Sequence, residues 1–141
     1  MCDLWCRRWK VRNRRGSWIS RLYQPVFPVL VLFIARWWQR RLPDQAAPLL
    51  ENGSGLSRIE RVTARGLATL LTQAEHERWF ADYLASMPLA GTDGTLRRLN
   101  LPLTLSAHLK TGTLRDASAL AGYVHTADGR RYVVVAVANH P

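Results

Sequence analysis

At 141 residues, with 48% hydrophobic side chains and a formal net charge of +10, the chain is long enough for one domain with a real core. The charge would ordinarily point to nucleic acid or an anionic membrane, but residues 1–43 hold nine Arg and one Lys against the single acid Asp3, leaving residues 44–141 close to neutral. The two cysteines, Cys2 and Cys6, fall short of the roughly four N/S ligands a zinc centre needs, so no metal site is expected, and the part from residue 44 onward has no cysteine for a disulfide.

The basic segment, residues 1–43, also contains five of the six tryptophans, Trp5, Trp9, Trp18, Trp37 and Trp38. Its one apolar run, Val26 to Ala35, is about half of the ~20 residues that a bilayer-spanning helix needs. A signal peptide places its positive charge before the apolar region and small residues after it. Here Arg36-Trp37-Trp38-Gln39-Arg40-Arg41 follows the run instead, so no clean signal peptide is present. Pro25 and Pro28 are expected to interrupt a helix over this stretch. Three readings stay open: out-of-frame translation of GC-rich DNA, a membrane-associating leader, and a nucleic-acid arm.

From Leu49 the texture changes. Glu51-Asn52-Gly53-Ser54-Gly55-Leu56-Ser57 reads as a turn-rich loop. Thr63 is placed to cap a helix near Ala64–Glu77, whose Leu67, Leu70, Leu71 and Ala74 recur at helical spacing. A second helix over His76–Ser86 follows a short kink and presents Trp79, Phe80, Tyr83 and Leu84. Met87-Pro88-Leu89 stops it, and Ala90-Gly91-Thr92-Asp93-Gly94-Thr95 is a tight loop.

The last third reads as strand. His108–Leu114 is the first, Ala119–Thr126 the second and Tyr132–Asn139 the third, with Asp128-Gly129 signalling a hairpin between the last two. The run Val133-Val134-Val135-Ala136-Val137 is apolar on both faces. It is therefore expected in the middle of a sheet with helices packed against it.

Chemistry concentrates in Lys110-Thr111-Gly112-Thr113. In acyl transfer to a serine, negative charge develops on the former carbonyl oxygen, and backbone N–H groups aimed at it stabilise the transition state by several kcal/mol. The Thr113 N–H is the candidate donor from a strand edge. Gly112 leaves that edge open to close approach. Lys110 supplies a cation near a substrate carboxylate, and the Thr111 and Thr113 hydroxyls can hydrogen-bond it. Alone, the tripeptide Lys-Thr-Gly recurs by chance; its surroundings make it specific. His108 shares a strand face with Lys110 by the two-residue period. His76, His125 and His140 stand singly, and Asp93 and Asp116 read as turn formers.

Four ordered blocks, Glu51 to Arg58, Met87 to Leu96, His108 to Leu114 and Leu120 to Tyr123, carry a resemblance. Residues 51–140 resemble the C-terminal part of class C low-molecular-mass penicillin-binding proteins, the D-Ala-D-Ala carboxypeptidase/endopeptidase family. The resemblance implies an α/β fold, the C-terminal part of a serine β-lactamase/transpeptidase-like domain with helices and about three antiparallel strands. It implies a periplasmic hydrolase that cleaves peptidoglycan stem peptides through a serine acyl-enzyme, is inhibited by β-lactams, and uses no metal or organic cofactor.

That family works with three elements, S-x-x-K, S-x-N and K-T-G. The third is complete at Lys110-Thr111-Gly112. For the second, Ser57 is the candidate proton-shuttling serine, although Ile59 stands where the asparagine would be; Ser54 with Asn52 is the other choice, and plain turn-stabilising serines are the bland one. The first cannot be formed, because Lys10 and Lys110 are the only lysines, and Arg7 and Ala107 precede them by three. The chain by itself is thus expected to be inactive; separately, the apolar face of Val133–Val137 leads to the expectation that residues 44–141 alone are poorly soluble, and nucleic acid is not expected as a partner. The competing reading is a non-catalytic module whose basic leader attaches to membrane or nucleic acid.

Overall fold

The computed structural model describes residues 18–51, 57–100, 102 and 105–140. Helix α1 runs Trp18–Arg41, α2 Ala64–Ala74 and α3 Phe80–Ser86. A 3-10 turn at Gly94–Leu96 leads to strands β1 Leu105–Leu114, β2 Ala117–Thr126 and β3 Arg131–Asn139. The α/β class and the three antiparallel strands match the sequence expectation.

Contrary to that expectation, α1 continues through Pro25 and Pro28. Each proline forfeits one backbone hydrogen bond and strains the preceding turn, while the residues from Val29 to Arg41 propagate the helix to a firmly docked end. There Trp38 is only 3% exposed and Leu42 is buried. The Trp38 indole lies over Gly66 of α2, where an added Cβ would sit 3.1 Å from Trp38 Cζ2. Trp38 Nε1 donates to the Gln45 carbonyl at 3.2 Å. Gln73 Nε2 donates to the Arg41 carbonyl at 2.7 Å, and Arg41 pairs with Glu77 at 3.2 Å.

Helix α2 begins where its sequence predicts. Thr63 is extended, and its Oγ1 accepts from Gly66 N–H at 2.9 Å, satisfying one of the donors a helix start leaves free. The expected kink between the helices is a run of tight turns: His76 N–H bonds Gln73 O, and Glu77 N–H bonds Ala74 O. These i to i−3 bonds end α2 at Ala74 and delay α3 to Phe80.

The sheet has the order β1-β2-β3, antiparallel throughout. The apolar third strand, expected in the middle, is an edge strand among the described residues; β2 is central. The physical reason is that apolar alternation reports which faces are covered, whereas strand neighbours lie in the plane of the sheet, along the hydrogen-bonding direction. On one face Tyr123 is wholly buried and packs with Phe80 and Leu71, flanked by Val133 and Val135. Its hydroxyl donates to Leu71 O at 2.8 Å, and its ring meets Phe80 edge-on at 5.1 Å. On the other face Ala107 and Leu109 are buried with Ala90. The β2–β3 hairpin is the Asp-Gly turn expected: Gly129 has φ +79°, and Thr126 N–H bonds Arg130 O at 3.0 Å. Gly122 sits at φ +152°, and a Cβ there would lie 2.0 Å from the His108 carbonyl oxygen, so β1 and β2 approach at a point only glycine permits.

Candidate active site

The Lys110–Thr113 motif lies on β1, the opposite edge of the sheet from β3. Part of the outer edge of β1 is occupied by the segment that follows α3. Leu109 N–H donates to Pro88 O at 3.0 Å, and Ala90 N–H donates to Ala107 O at 2.8 Å. Strand alternation then directs the N–H and C=O groups of Thr111 and Thr113 to that same outer edge. Beyond Leu109 no further rung is made there among the described residues. Lys110 and Gly112 sit opposite Ala121 and Ala119 of β2.

The edge is rich in donors. Lys110 is exposed, and its Nζ donates to the Thr111 carbonyl at 2.5 Å, which holds the ammonium beside the open edge. Thr111 Oγ1 shares a 2.5 Å hydrogen bond with Thr95 Oγ1. Thr95 is a residue that sequence reasoning did not single out as functional, although it lies in the Met87 to Leu96 block that carries part of the resemblance. Its turn, with Arg97 and Arg98, lines an open depression of about 550 Å³. At Gly112 a Cβ would meet nothing nearer than Ala119 Cβ at 4.0 Å. Packing among the described residues therefore does not require glycine at this position. A cation, two edge N–H groups and hydroxyls in one place can receive a carboxylate and a developing oxyanion.

Ser57 is elsewhere. Its Oγ donates to the Glu51 carboxylate and accepts from Ile59 N–H at 3.2 Å and Glu60 N–H at 3.4 Å, the pattern of a serine that organises a turn. It lines a cavity of about 650 Å³ with Leu114, Asp116, Asn139 and His140, at the β1–β2 turn. Lys110 and Leu114 are four residues apart on an extended strand, roughly 13 Å. The structure brings Lys110, Thr111, Gly112 and Thr113 together with Thr95, and leaves Ser57 at the far end of β1. Asn52 and Ser54 lie outside the described residues.

His108 shares the Lys110 side of β1; its Nδ1 is 3.4 Å from Met87 O, and its ring lies 6.1 Å from that of His125. His125 Nε2 accepts from Arg131 Nε at 2.7 Å. Burial first, then the neighbouring Arg131 and His108, pull the His125 pKa below its ordinary value, with Glu75 opposing. Burial likewise raises the Tyr123 phenol to about 12, helped by Tyr83 and Glu75. Asp93 is a turn former, accepting from Leu89 N–H at 2.6 Å. Among the described residues no group of three or more His, Cys, Asp or Glu is placed to hold a metal ion.

The profile of the D-Ala-D-Ala carboxypeptidase 3 (S13) family matches residues 43–140. A D-alanyl-D-alanine carboxypeptidase of Actinomadura sp. (strain R39) is 40% identical over 93 residues, 61% of this chain and 17% of that protein. The D-alanyl-D-alanine carboxypeptidase DacB of Haemophilus influenzae is 30% identical over 95 residues, 64% of this chain and 20% of that one. A penicillin-sensitive carboxypeptidase A of Dictyostelium discoideum is 32% identical over 82 residues, 52% of this chain and 15% of its own length. The chain thus spans a fifth or less of the length of these relatives. Since the family match takes in the motif strand, the turn that bonds Thr111 and both helices packed on the sheet, this chain belongs to the D-Ala-D-Ala carboxypeptidase 3 (S13) family.

Proposed function

We propose that this chain supplies one wall of a serine D-alanyl-D-alanine carboxypeptidase site, acting in the periplasm on peptidoglycan stem peptides and open to β-lactams. The observation that carries the reading is the outer edge of β1, where Lys110 Nζ and the Thr111 hydroxyl gather beside the N–H groups of Thr111 and Thr113. Lys110 attracts the C-terminal carboxylate of the peptide. Thr111 and Thr113 hydrogen-bond that carboxylate, and the Thr113 N–H stabilises the tetrahedral oxyanion. Gly112 keeps the edge clear for the peptide backbone. The 141 residues contain no S-x-x-K, so the acylated serine comes from polypeptide outside them. Ser57 is the proton-relay candidate of the same reading, its hydroxyl bonded to the Glu51 carboxylate at the other end of β1.

Labelling with a fluorescent penicillin tests this. The chain alone should not label. Co-expression with a polypeptide that carries the family's S-x-x-K should give a labelled complex, and Lys110→Ala should reduce labelling by about a hundredfold or more, the scale of losing one charge-stabilising group. No labelling in the reconstituted complex, or labelling indifferent to Lys110→Ala, would overturn the proposal.

A further inference from the structure

Helix α1 is not accounted for by the carboxypeptidase reading, and its outer surface is unusual. Trp38 and Leu42 turn inward and are buried, while Val31, Ile34 and Ala35 are half-buried on the same side. The opposite side is apolar and bare: Val29 is 66% exposed, Phe33 65% and Leu32 58%. One turn further along, the same side carries Arg36, Trp37 and Arg40, since positions three and four apart share a helix face. Neither Arg36 nor Arg40 is in an ion pair among the described residues; Arg41, by contrast, is held by Glu77. The helix is therefore a docked arm with a face that has no partner among the described residues, apolar toward its middle and basic toward its anchored end.

The geometry points to this face as a docking surface for an anionic phospholipid bilayer, on which α1 lies without crossing. Among the described residues no helix is long and apolar enough to cross a membrane. An interfacial helix needs what is present here: an apolar row to enter the acyl boundary, and arginines with a tryptophan at headgroup depth. The charge is complementary, with residues 1–43 carrying nine Arg and one Lys against one acid. Alternative occupants fit less well. A nucleic-acid backbone would engage Arg36 and Arg40 but leave Val29, Leu32 and Phe33 wet. A second copy would set two strongly basic helices against each other. This inference does not depend on the carboxypeptidase reading, since no part of it involves β1.

The test is sedimentation of the full 141-residue chain with vesicles of phosphatidylglycerol and phosphatidylcholine, against vesicles of phosphatidylcholine alone and against duplex DNA. The chain should sediment with the anionic vesicles, much less with the neutral ones, and release as salt screens the arginines. Val29→Ser with Phe33→Ser, uncharged replacements at exposed positions, should weaken anionic-vesicle binding by at least about tenfold and leave DNA binding unchanged, because only lipid uses the apolar row. Arg36→Gln with Arg40→Gln should weaken anionic-vesicle binding while reducing its salt dependence. Vesicle binding that survives the two serines, absence of anionic-vesicle binding, or a lipid-free dimer that the two serines dissolve would each overturn the inference.

Discussion

His125 occupies the crowded strip where three strands and the end of α2 meet. Arg131 Nε donates to its ring, His108 stacks edge-on at 6.1 Å, and the Arg131 guanidinium reaches on to Glu75 at 2.6 Å and lies 4.7 Å over the Phe80 ring. Protonating His125 would remove the lone pair that Arg131 uses and set two cations against each other. Burial first, and then this opposition of charge, hold its folded pKa below the ordinary 6.5. A lowered histidine pKa means that the unfolded chain takes up the proton first as pH falls, so the stability it contributes is present above 6.5 and is lost progressively below it. Denaturant melts at about pH 7.5 and about pH 5.5 should show a clear loss of stability at the lower value. His125→Gln, which keeps an acceptor for Arg131, should shrink that difference; an unchanged difference would assign the acid sensitivity elsewhere.

At the scale of elements, α1 is held by its last turns. Trp38 covers Gly66, Leu42 is buried, and the Arg41 carbonyl and guanidinium are both engaged by residues at or just beyond the end of α2. The exposed Arg41–Glu77 pair is worth at most ~1 kcal/mol, so the indole is the principal contribution. Trp38→Ala should cost about 3–5 kcal/mol, the range for emptying a buried aromatic site, read from urea melts. Leu32→Ala on the bare side should change stability by less than about 0.5 kcal/mol. Equal effects of the two substitutions would mean that α1 is not docked in solution. The sequence shows a helix start at Thr63 and a stop at Met87-Pro88 because capping and proline effects are local. It does not show Trp38 docking on Gly66, since that contact joins residues far apart in the chain and both look unremarkable in their own segments.

At the scale of the molecule, one sheet edge is partly closed and the other is not. Pro88 and Ala90 pair along β1 as far as Leu109, whereas the outer edge of β3 has no strand beside it among the described residues. Val137 on β3 is 41% exposed and lies in an uncharged run. An open apolar edge templates association, and the +10 charge offers little protection because most of it resides on residues 1–43. Val137→Lys should lower the associated fraction in light scattering at matched concentration, with less than about 0.5 kcal/mol change in stability. Undiminished association would place the sticky surface elsewhere, with the bare side of α1 the next candidate.

What the sequence determined by itself rests on local identity and period. The Asp128-Gly129 hairpin, the Thr63 cap, the three strands and the K-T-G strand could be read directly, because each depends on residues a few positions apart. The same holds for the absence of any S-x-x-K, which two lysines suffice to establish. The tertiary structure alone decided the rest. Among the described residues it put β2 rather than β3 in the centre, because face burial leaves in-plane neighbours unspecified. It carried α1 through two prolines, because docking at the far end of a helix outweighs a local penalty. It joined Thr95 to Thr111 and left Ser57 about four strand residues from Lys110, because which loops meet at one edge of a sheet is a property of the assembled fold and not of any one segment.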